Sequence, residues 1–157
     1  EPWTEEEAGE AEADDVGTFR HRYHWARQRS TGWVVEDLAF GGGEMATHSI
    51  DYSGLGAQDP THPGRVVISA NVDPVTGAPL VSTADGKVHH ELFQGTRVAP
   101  ATWTWIPLTA NSAEDNTRPT ITAAGPHKVL AWMRGRYYSW TDFDTRIVVR
   151  RSVSPPA

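Results

Sequence analysis

A chain of 157 residues is long enough for one domain and short for two. Hydrophobic residues make up 38% and charged residues 22%, as in an ordinary soluble globular chain, and no apolar run is long enough to cross a bilayer or resembles a signal peptide. Cysteine is absent, which excludes disulfides and thiolate chemistry.

The formal net charge of −6 is concentrated in the first fifteen residues, which hold eight of the twenty carboxylates and no Lys or Arg. This density of like charge predicts a disordered acidic leader over residues 1–16. The rest of the chain carries 14 basic against 12 acidic residues, and 12 of those 14 are arginine. Arginine suits bidentate capture of carboxylates, whereas nucleic acid requires a dense basic stripe. The charge pattern therefore favours a sparsely charged acidic polymer as partner, and neither nucleic acid nor a membrane.

From residue 16 onward the sequence reads as short strands separated by turns. Residues 16–27 alternate, which places His21 on the same face as Tyr23 and Trp25, and residues 33–40 complete a hairpin. Further strands are predicted at residues 50–57, 65–71, 88–95 and 102–109, with Pro- and Gly-rich turns between them. The glycine-rich strand 50–57 suggests a close approach of two backbones. Outside the leader no segment has helical periodicity, so the chain is predicted to be all-β.

The C-terminal third is the richest in aromatic and basic residues. Strands are predicted at residues 120–123, 128–133 and 142–149, with a connection at 134–141 that holds Arg134, Arg136, Tyr137 and Tyr138. In the last strand, the alternation of Phe143, Thr145, Ile147 and Val149 with polar residues predicts that these four face the core. Aromatic rings and guanidiniums beside a sheet suit a sugar-acid site. A solvated hairpin whose arginines keep the edge soluble is the alternative interpretation.

The strand pattern repeats. The turn and tryptophan of residues 30–33 recur at 100–103, and strands 50–57 and 65–71 have counterparts at 116–123 and 128–134. Four-stranded units of this kind predict a partial β-propeller of two to three antiparallel blades over residues 17–150, followed by a tail at 151–157. In this register the chain holds the outer two strands of one blade, one complete blade and three strands of a third. A sandwich of about nine strands is the competing architecture.

Five segments carry a resemblance to a known family. They are HRYHWAR at 21–27, DYSGLGAQDP at 51–60, ISANVDPVTGAPLVSTADGKVHHELFQGT at 68–96, TWTWIPLTANSAEDNTRP at 102–119 and LAWMRGRYYSWTDFDTRIV at 130–148. Together they resemble the C-terminal part of the BNR-repeat β-propeller proteins, which include polysaccharide lyases and enzymes that act on rhamnose–glucuronate linkages. The resemblance implies a fragment of a carbohydrate-active propeller, a secreted or periplasmic location, and an acidic polysaccharide as partner. It leaves β-elimination and glycoside hydrolysis both open.

In that setting the loops at one end of the blades are expected to pool the site residues. The catalytic candidates are Arg118, which can neutralise a uronate carboxylate, and Tyr137 and His21 as base or acid. The substrate-binding candidates are Tyr52, Asn116, Arg134, Arg136 and Tyr138. Each has a plainer interpretation: Arg118 can pair with Asp115 or Glu114 to fasten a turn, and tyrosines beside a sheet usually pack.

Metal and carboxylate sites are weaker hypotheses. Adjacent His89 and His90 are expected on opposite faces of a strand, which argues against joint ligation of a metal. Calcium at Asp59 or Asp73 is conceivable, but neither has the spacing of a known loop, and no cofactor is predicted. Asp142 and Asp144 can form a glycosidase pair or simply fix a strand end.

Two other functional classes remain open at this stage. One is a non-catalytic carbohydrate-binding module, and the other is an incomplete fold without independent function. An open arc of blades exposes sheet edges, which predicts self-association.

Overall fold

The computed structural model describes residues 21–43, 45, 53–124, 127–139 and 141–153, which form nine β-strands and no helix. The strands are β1 (His21–Arg29), β2 (Gly32–Gly42), β3 (Gly56–Gln58), β4 (Arg65–Ala70), β5 (Glu91–Ala99), β6 (Thr102–Pro107), β7 (Asp115–Ala124), β8 (His127–Ser139) and β9 (Asp142–Val153). The predicted leader therefore lies outside the described residues. In the ranges that the structure describes, no helix is long and apolar enough to cross a membrane.

The strands form three antiparallel sheets in which neighbours in the chain are neighbours in the sheet. The sheets have the orders β1-β2, β3-β4-β5-β6 and β7-β8-β9. The all-β prediction is confirmed, and so is the expected division into two, four and three strands. Three successive up-and-down sheets are consistent with part of an open β-propeller.

The four-stranded sheet lies between the other two. Its strand β4 is buried on both faces, because Val66, Ile68 and Ala70 pack with Trp25 and Ala39 of the first sheet. The intervening Val67 packs in a second cluster with Leu92 and Trp132, which also includes Leu130 and Val148 of the third sheet. Alternate side chains of a strand point to opposite faces, so the two clusters lie on opposite sides of the middle sheet. Packing of apolar side chains against both faces is the main force that holds the three layers together.

The predicted close approach of backbones occurs beside β3. A Cβ added at Gly54 would lie 2.1 Å from Ser69 Oγ and 2.8 Å from His90 Cδ2. Glycine is therefore needed where this segment passes over β4. The predicted strand at 50–57 shrinks to Gly56–Gln58, and its first three positions lie outside the described residues.

Two predictions about the last hairpin are wrong. Residues 134–139 continue β8 and are not a connection, and their partners on β9 run from Arg146 to Asp142. Phe143, Ile147 and Val149 are 59%, 68% and 60% exposed, whereas Val148 between them joins the second cluster. The alternation is real, but pairing with β8 turns the opposite face toward the core. β9 also continues to Val153, three residues into the segment predicted as a tail.

Candidate functional site

One end of the molecule collects most of the predicted site residues. The first two residues of β7 lie here and pair with β8: Asp115 pairs with Gly135, and Asn116 pairs with Arg134. The chain enters β5 at Glu91 beside them, because Asn116 N donates a hydrogen bond to His90 O at 2.9 Å. The first sheet joins this end through Gly43 N, which donates to Asn71 Oδ1 at 2.9 Å. We call this region the loop end.

Arg118 and Tyr137, which the sequence analysis placed in one site, are in contact. The Arg118 guanidinium carbon lies 5.1 Å from the centroid of the Tyr137 ring, within the range of a cation–π interaction. Arg118 stands in an irregularity of the β7–β8 register between Thr117 and Thr120, and its φ is +52°. Its backbone N donates to Gly54 O of the neighbouring sheet at 2.8 Å. A bulge with a left-handed residue re-aims the side chain, and such conformations in residues other than glycine concentrate at functional sites.

Asn116 is a buried, hydrogen-bonded residue at the loop end. It is fully buried, and its Nδ2 lies 3.0 Å from Ser112 Oγ and 3.3 Å from Glu91 Oε2. Its Oδ1 accepts a hydrogen bond of 2.9 Å from Trp132 Nε1. Both ends of the amide therefore have protein partners, so Asn116 has the surroundings of a positioning residue, although a substrate-binding role was predicted for it.

Arg134 is occupied by an ion pair within the protein. Its Nε lies 3.2 Å from Glu114 Oε2, and Arg146 grips the same carboxylate with Nη1 at 3.0 Å and Nη2 at 2.5 Å. These contacts hold the pKa of Glu114 below its usual value, chiefly through the hydrogen bond from Arg146. The sequence analysis considered Glu114 as a partner for Arg118. The structure gives it to Arg134 and Arg146, and Arg146 was not among the predicted residues.

Arg136 and Tyr138 lie on the exposed extension of β8. Arg136 Nη1 lies 3.4 Å from the Tyr138 hydroxyl, and this hydrogen bond is the first cause of the raised pKa of the guanidinium. Tyr138 is 52% exposed, so its ring is available for contact with a ligand.

Two other predicted residues remain. His21 begins β1 of the first sheet and pairs with Gly42, next to Gly43 of the loop end, whereas Arg118 and Tyr137 lie in the third sheet. Tyr52 lies outside the described residues.

The expectation that His89 and His90 point apart is wrong. The Nδ1 atoms of His89 and His90 lie 3.5 Å and 3.6 Å from the same atom, Asp115 Oδ1. Both residues precede the first residue of β5, so strand alternation does not govern them. Burial raises the pKa of Asp115, but hydrogen bonds from His90 and the nearby imidazole charges outweigh it and lower the pKa overall.

The acidic residues considered for calcium have protein partners. Asp73 Oδ1 accepts hydrogen bonds from the backbone N of Val75 at 2.9 Å and of Thr76 at 2.7 Å, which closes a turn. Asp59 pairs with Lys128. Among the residues that the structure describes, no group of three or more His, Asp or Glu side chains could hold a metal ion.

Sequence reasoning also missed Glu91. This residue is 4% exposed, and its carboxylate accepts hydrogen bonds from Ser112 N at 2.7 Å and Ser112 Oγ at 2.9 Å. It lines a pocket of about 390 Å³, together with Leu80 and Phe93. An alternating strand pattern gives no sign that a carboxylate takes a core position, so no signal in the sequence could have found it.

No family model, curated protein or solved structure matches the chain. The resemblance to BNR-repeat propellers therefore stays a prediction.

Proposed function

We propose that the chain contributes a binding site for acidic sugars, in which Arg118 binds the carboxylate of a uronate. The observation that carries this proposal is the cation–π contact of Arg118 with Tyr137, in which the guanidinium carbon lies 5.1 Å from the ring centroid. This contact restrains the guanidinium, whose N–H donors lie in its plane. A fixed planar fork is the geometry that captures a carboxylate through two parallel hydrogen bonds.

The surroundings of Arg118 support this role. Its positive φ costs conformational free energy, and such conformations in residues other than glycine concentrate at functional sites. Exposed Tyr138 on the same strand extension offers an aromatic surface for a sugar ring. The acidic polysaccharide expected from the family resemblance has this chemistry.

Cleavage of the polysaccharide, by elimination or hydrolysis, is the further step that the resemblance implies. Elimination needs a base for the C5 proton beside the bound carboxylate, and Tyr137 is the candidate because it touches Arg118. Cleavage by elimination is detected separately, from the ultraviolet absorbance of the unsaturated uronate that it creates when the chain is incubated with the acidic oligosaccharide.

The test is titration of the chain with a glucuronate-containing oligosaccharide, followed by calorimetry, with the carboxyl-reduced oligosaccharide as the neutral ligand. We expect binding of the acidic ligand alone, weakened at least tenfold by Arg118→Ala and by Arg118→Lys. Arg29→Ala is the matched control, because Arg29 is exposed and ends β1 at the far end of the molecule. Equal binding of the neutral ligand, or equal losses with Arg29→Ala and Arg118→Ala, would overturn the proposal.

A further inference from the structure

The outward face of β9 is apolar and unusually exposed. Phe143, Ile147 and Val149 alternate on that face and are 59%, 68% and 60% exposed. β9 ends the order β7-β8-β9, and among the described residues no strand pairs with its edge away from β8. The middle sheet, in contrast, is covered on both faces by the other layers.

A long, regular edge strand of this kind pairs readily with another strand. β9 has 12 residues and no proline, and its pairing with β8 is without irregularity from Phe143 onward. Proline, lysine and a bulge are absent from this strand, within the residues described, but it carries five charged residues, Asp142, Asp144, Arg146, Arg150 and Arg151. Charged side chains on an edge oppose pairing unless the register matches them with opposite charges.

We propose that two copies of this chain pair antiparallel through β9, with the two-fold axis at Ile147. The proposal does not rest on sugar binding, because it uses the edge of β9, whereas the proposed sugar site uses Arg118 of β7 and Tyr137 of β8. Pairing joins the two three-stranded sheets into one sheet of six strands. Such an isologous contact uses the same surface on both copies and closes the assembly at a dimer.

The charges on β9 select the register. In an antiparallel pair, directly opposed residues face the same side of the sheet. Moving the two-fold axis by one residue along β9 therefore shifts the partner of every residue by two positions. With Ile147 opposite its own copy, Asp144 lies opposite Arg150 of the second copy, and Arg146 opposite Val148. Opposite charges in directly opposed positions stabilise a strand pair.

The two neighbouring registers bring like charges together. Centring the pair on Arg146 places the two copies of Arg146 opposite each other, and centring it on Val148 places Arg146 opposite Arg150. Like charges directly opposed are destabilising. The Ile147 register avoids both repulsions and still overlaps residues 142–152 of each strand.

The same register aligns the apolar face. It places Ile147 against Ile147 of the second copy, and Thr145 against Val149 of the second copy. Phe143 lies opposite Arg151 of the second copy, where a guanidinium can rest on the ring. The exposed apolar stripe of each copy therefore continues into the stripe of the other.

Single cysteines test the register directly, since the chain has no cysteine of its own. Opposed residues in an antiparallel pair have Cα atoms about 4.5–5.5 Å apart, within reach of a disulfide. We expect Ile147→Cys to form a covalent dimer under mild oxidation at least tenfold faster than Val149→Cys, the matched control. Val149 is similarly exposed on the same face, but in this register its two copies are about 13 Å apart.

Charge reversal tests the same register without a covalent bond. By analytical ultracentrifugation of the full chain, Arg150→Asp should raise the dimer dissociation constant at least tenfold, and adding Asp144→Arg in the same chain should restore it. A chain that is monomeric at every concentration would overturn the proposal. So would equal cross-linking of the two cysteine variants, or a double variant as weak as the single one.

Discussion

Lys128 Nζ lies 2.7 Å from Asp59 Oδ2, and this ion pair ties β8 of the third sheet to the turn between β3 and β4. The Asp59 side chain is 2% exposed, and it also accepts hydrogen bonds from Thr61 N at 2.9 Å and Thr61 Oγ1 at 2.8 Å. Burial raises the pKa of Asp59, but the hydrogen bonds from Lys128 and Thr61 outweigh it and lower the pKa from 3.8 to about 2.

Stability should therefore fall in acid. A carboxyl whose folded-state pKa is depressed contributes stability above its unfolded pKa and loses it as the pH falls through its folded pKa. For Asp59 the window runs from about pH 4 down to about pH 2, and the contribution is about 2 kcal/mol. Urea unfolding measured across this window should show the loss in the wild type, and a smaller loss in Asp59→Asn, which lacks this carboxyl.

The same substitution should cost about 3 kcal/mol or more at neutral pH, because it leaves Lys128, whose side chain is 13% exposed, without its carboxylate partner. Asp37→Asn is the control, since Asp37 pairs with Arg22 but its side chain is 54% exposed. That pair should contribute no more than about 1 kcal/mol. If both variants lose the same stability, the Lys128 contact does not join the sheets as described.

Gly135 offers a test of how tightly β8 and β9 approach at the loop end. Its φ is +135°, and an added Cβ would lie 2.1 Å from Asp144 O and 2.8 Å from Thr145 Cα. Gly135→Ala therefore combines backbone strain with a clash against backbone atoms that cannot rotate away. We expect a loss of about 3 kcal/mol in the free energy of unfolding.

Gly32→Ala separates the two causes. Gly32 has a similar φ of +123°, but nothing lies within 4 Å of its added Cβ. Gly32→Ala should lower the free energy of unfolding by only about 1 kcal/mol, which is the cost of the backbone conformation. Equal losses for the two alanine variants would show that the close approach of β9 is not the cause.

The sequence predicts the architecture better than it predicts the faces. The strand β4 can be read directly, because RVVISA has no polar alternation and such runs are buried on both sides. The extension of β8 cannot, because Gly135 between Arg134 and Arg136 looks like a turn until pairing with β9 is known. On β9 the more apolar set of alternating residues, Phe143, Ile147 and Val149, faces outward. Only the pairing with β8 determines which face of β9 points to the core.

Of the candidate site, likewise, only part could be predicted from the sequence. The grouping of Arg118 with Tyr137 could be predicted, because Arg118 lies near the start of β7 and Tyr137 lies on β8 just beyond the residues that pair with the start of β7. The burial of Asn116 and Glu91 could not, because amides and carboxylates are usually exposed and their partners are distant in sequence.

The hydrogen bond between Trp132 and Asn116 predicts a specific cost for a nearly isosteric change. Trp132→Phe removes the Nε1–H donor and leaves Asn116 Oδ1 buried without it. An unsatisfied buried acceptor costs about 1–3 kcal/mol, and the smaller ring adds a cavity term. Trp33→Phe, at a position 67% exposed, should change stability by less than about 0.5 kcal/mol. Similar effects in the two variants would remove the Asn116 amide from the supporting framework of the loop end.

Arg118 should behave as a residue kept for function at the expense of stability. Asparagine tolerates a φ of +52° better than arginine, so Arg118→Asn relieves backbone strain while it removes the cation–π contact with Tyr137. Because the two effects oppose each other and each is worth about 1 kcal/mol, the free energy of unfolding should stay within about 0.5 kcal/mol of the wild type. Binding of the acidic oligosaccharide should nevertheless be lost. Stability is measured by urea unfolding and binding by calorimetry on the same preparation. A variant that loses several kcal/mol of stability would instead identify Arg118 as a structural residue of the bulge.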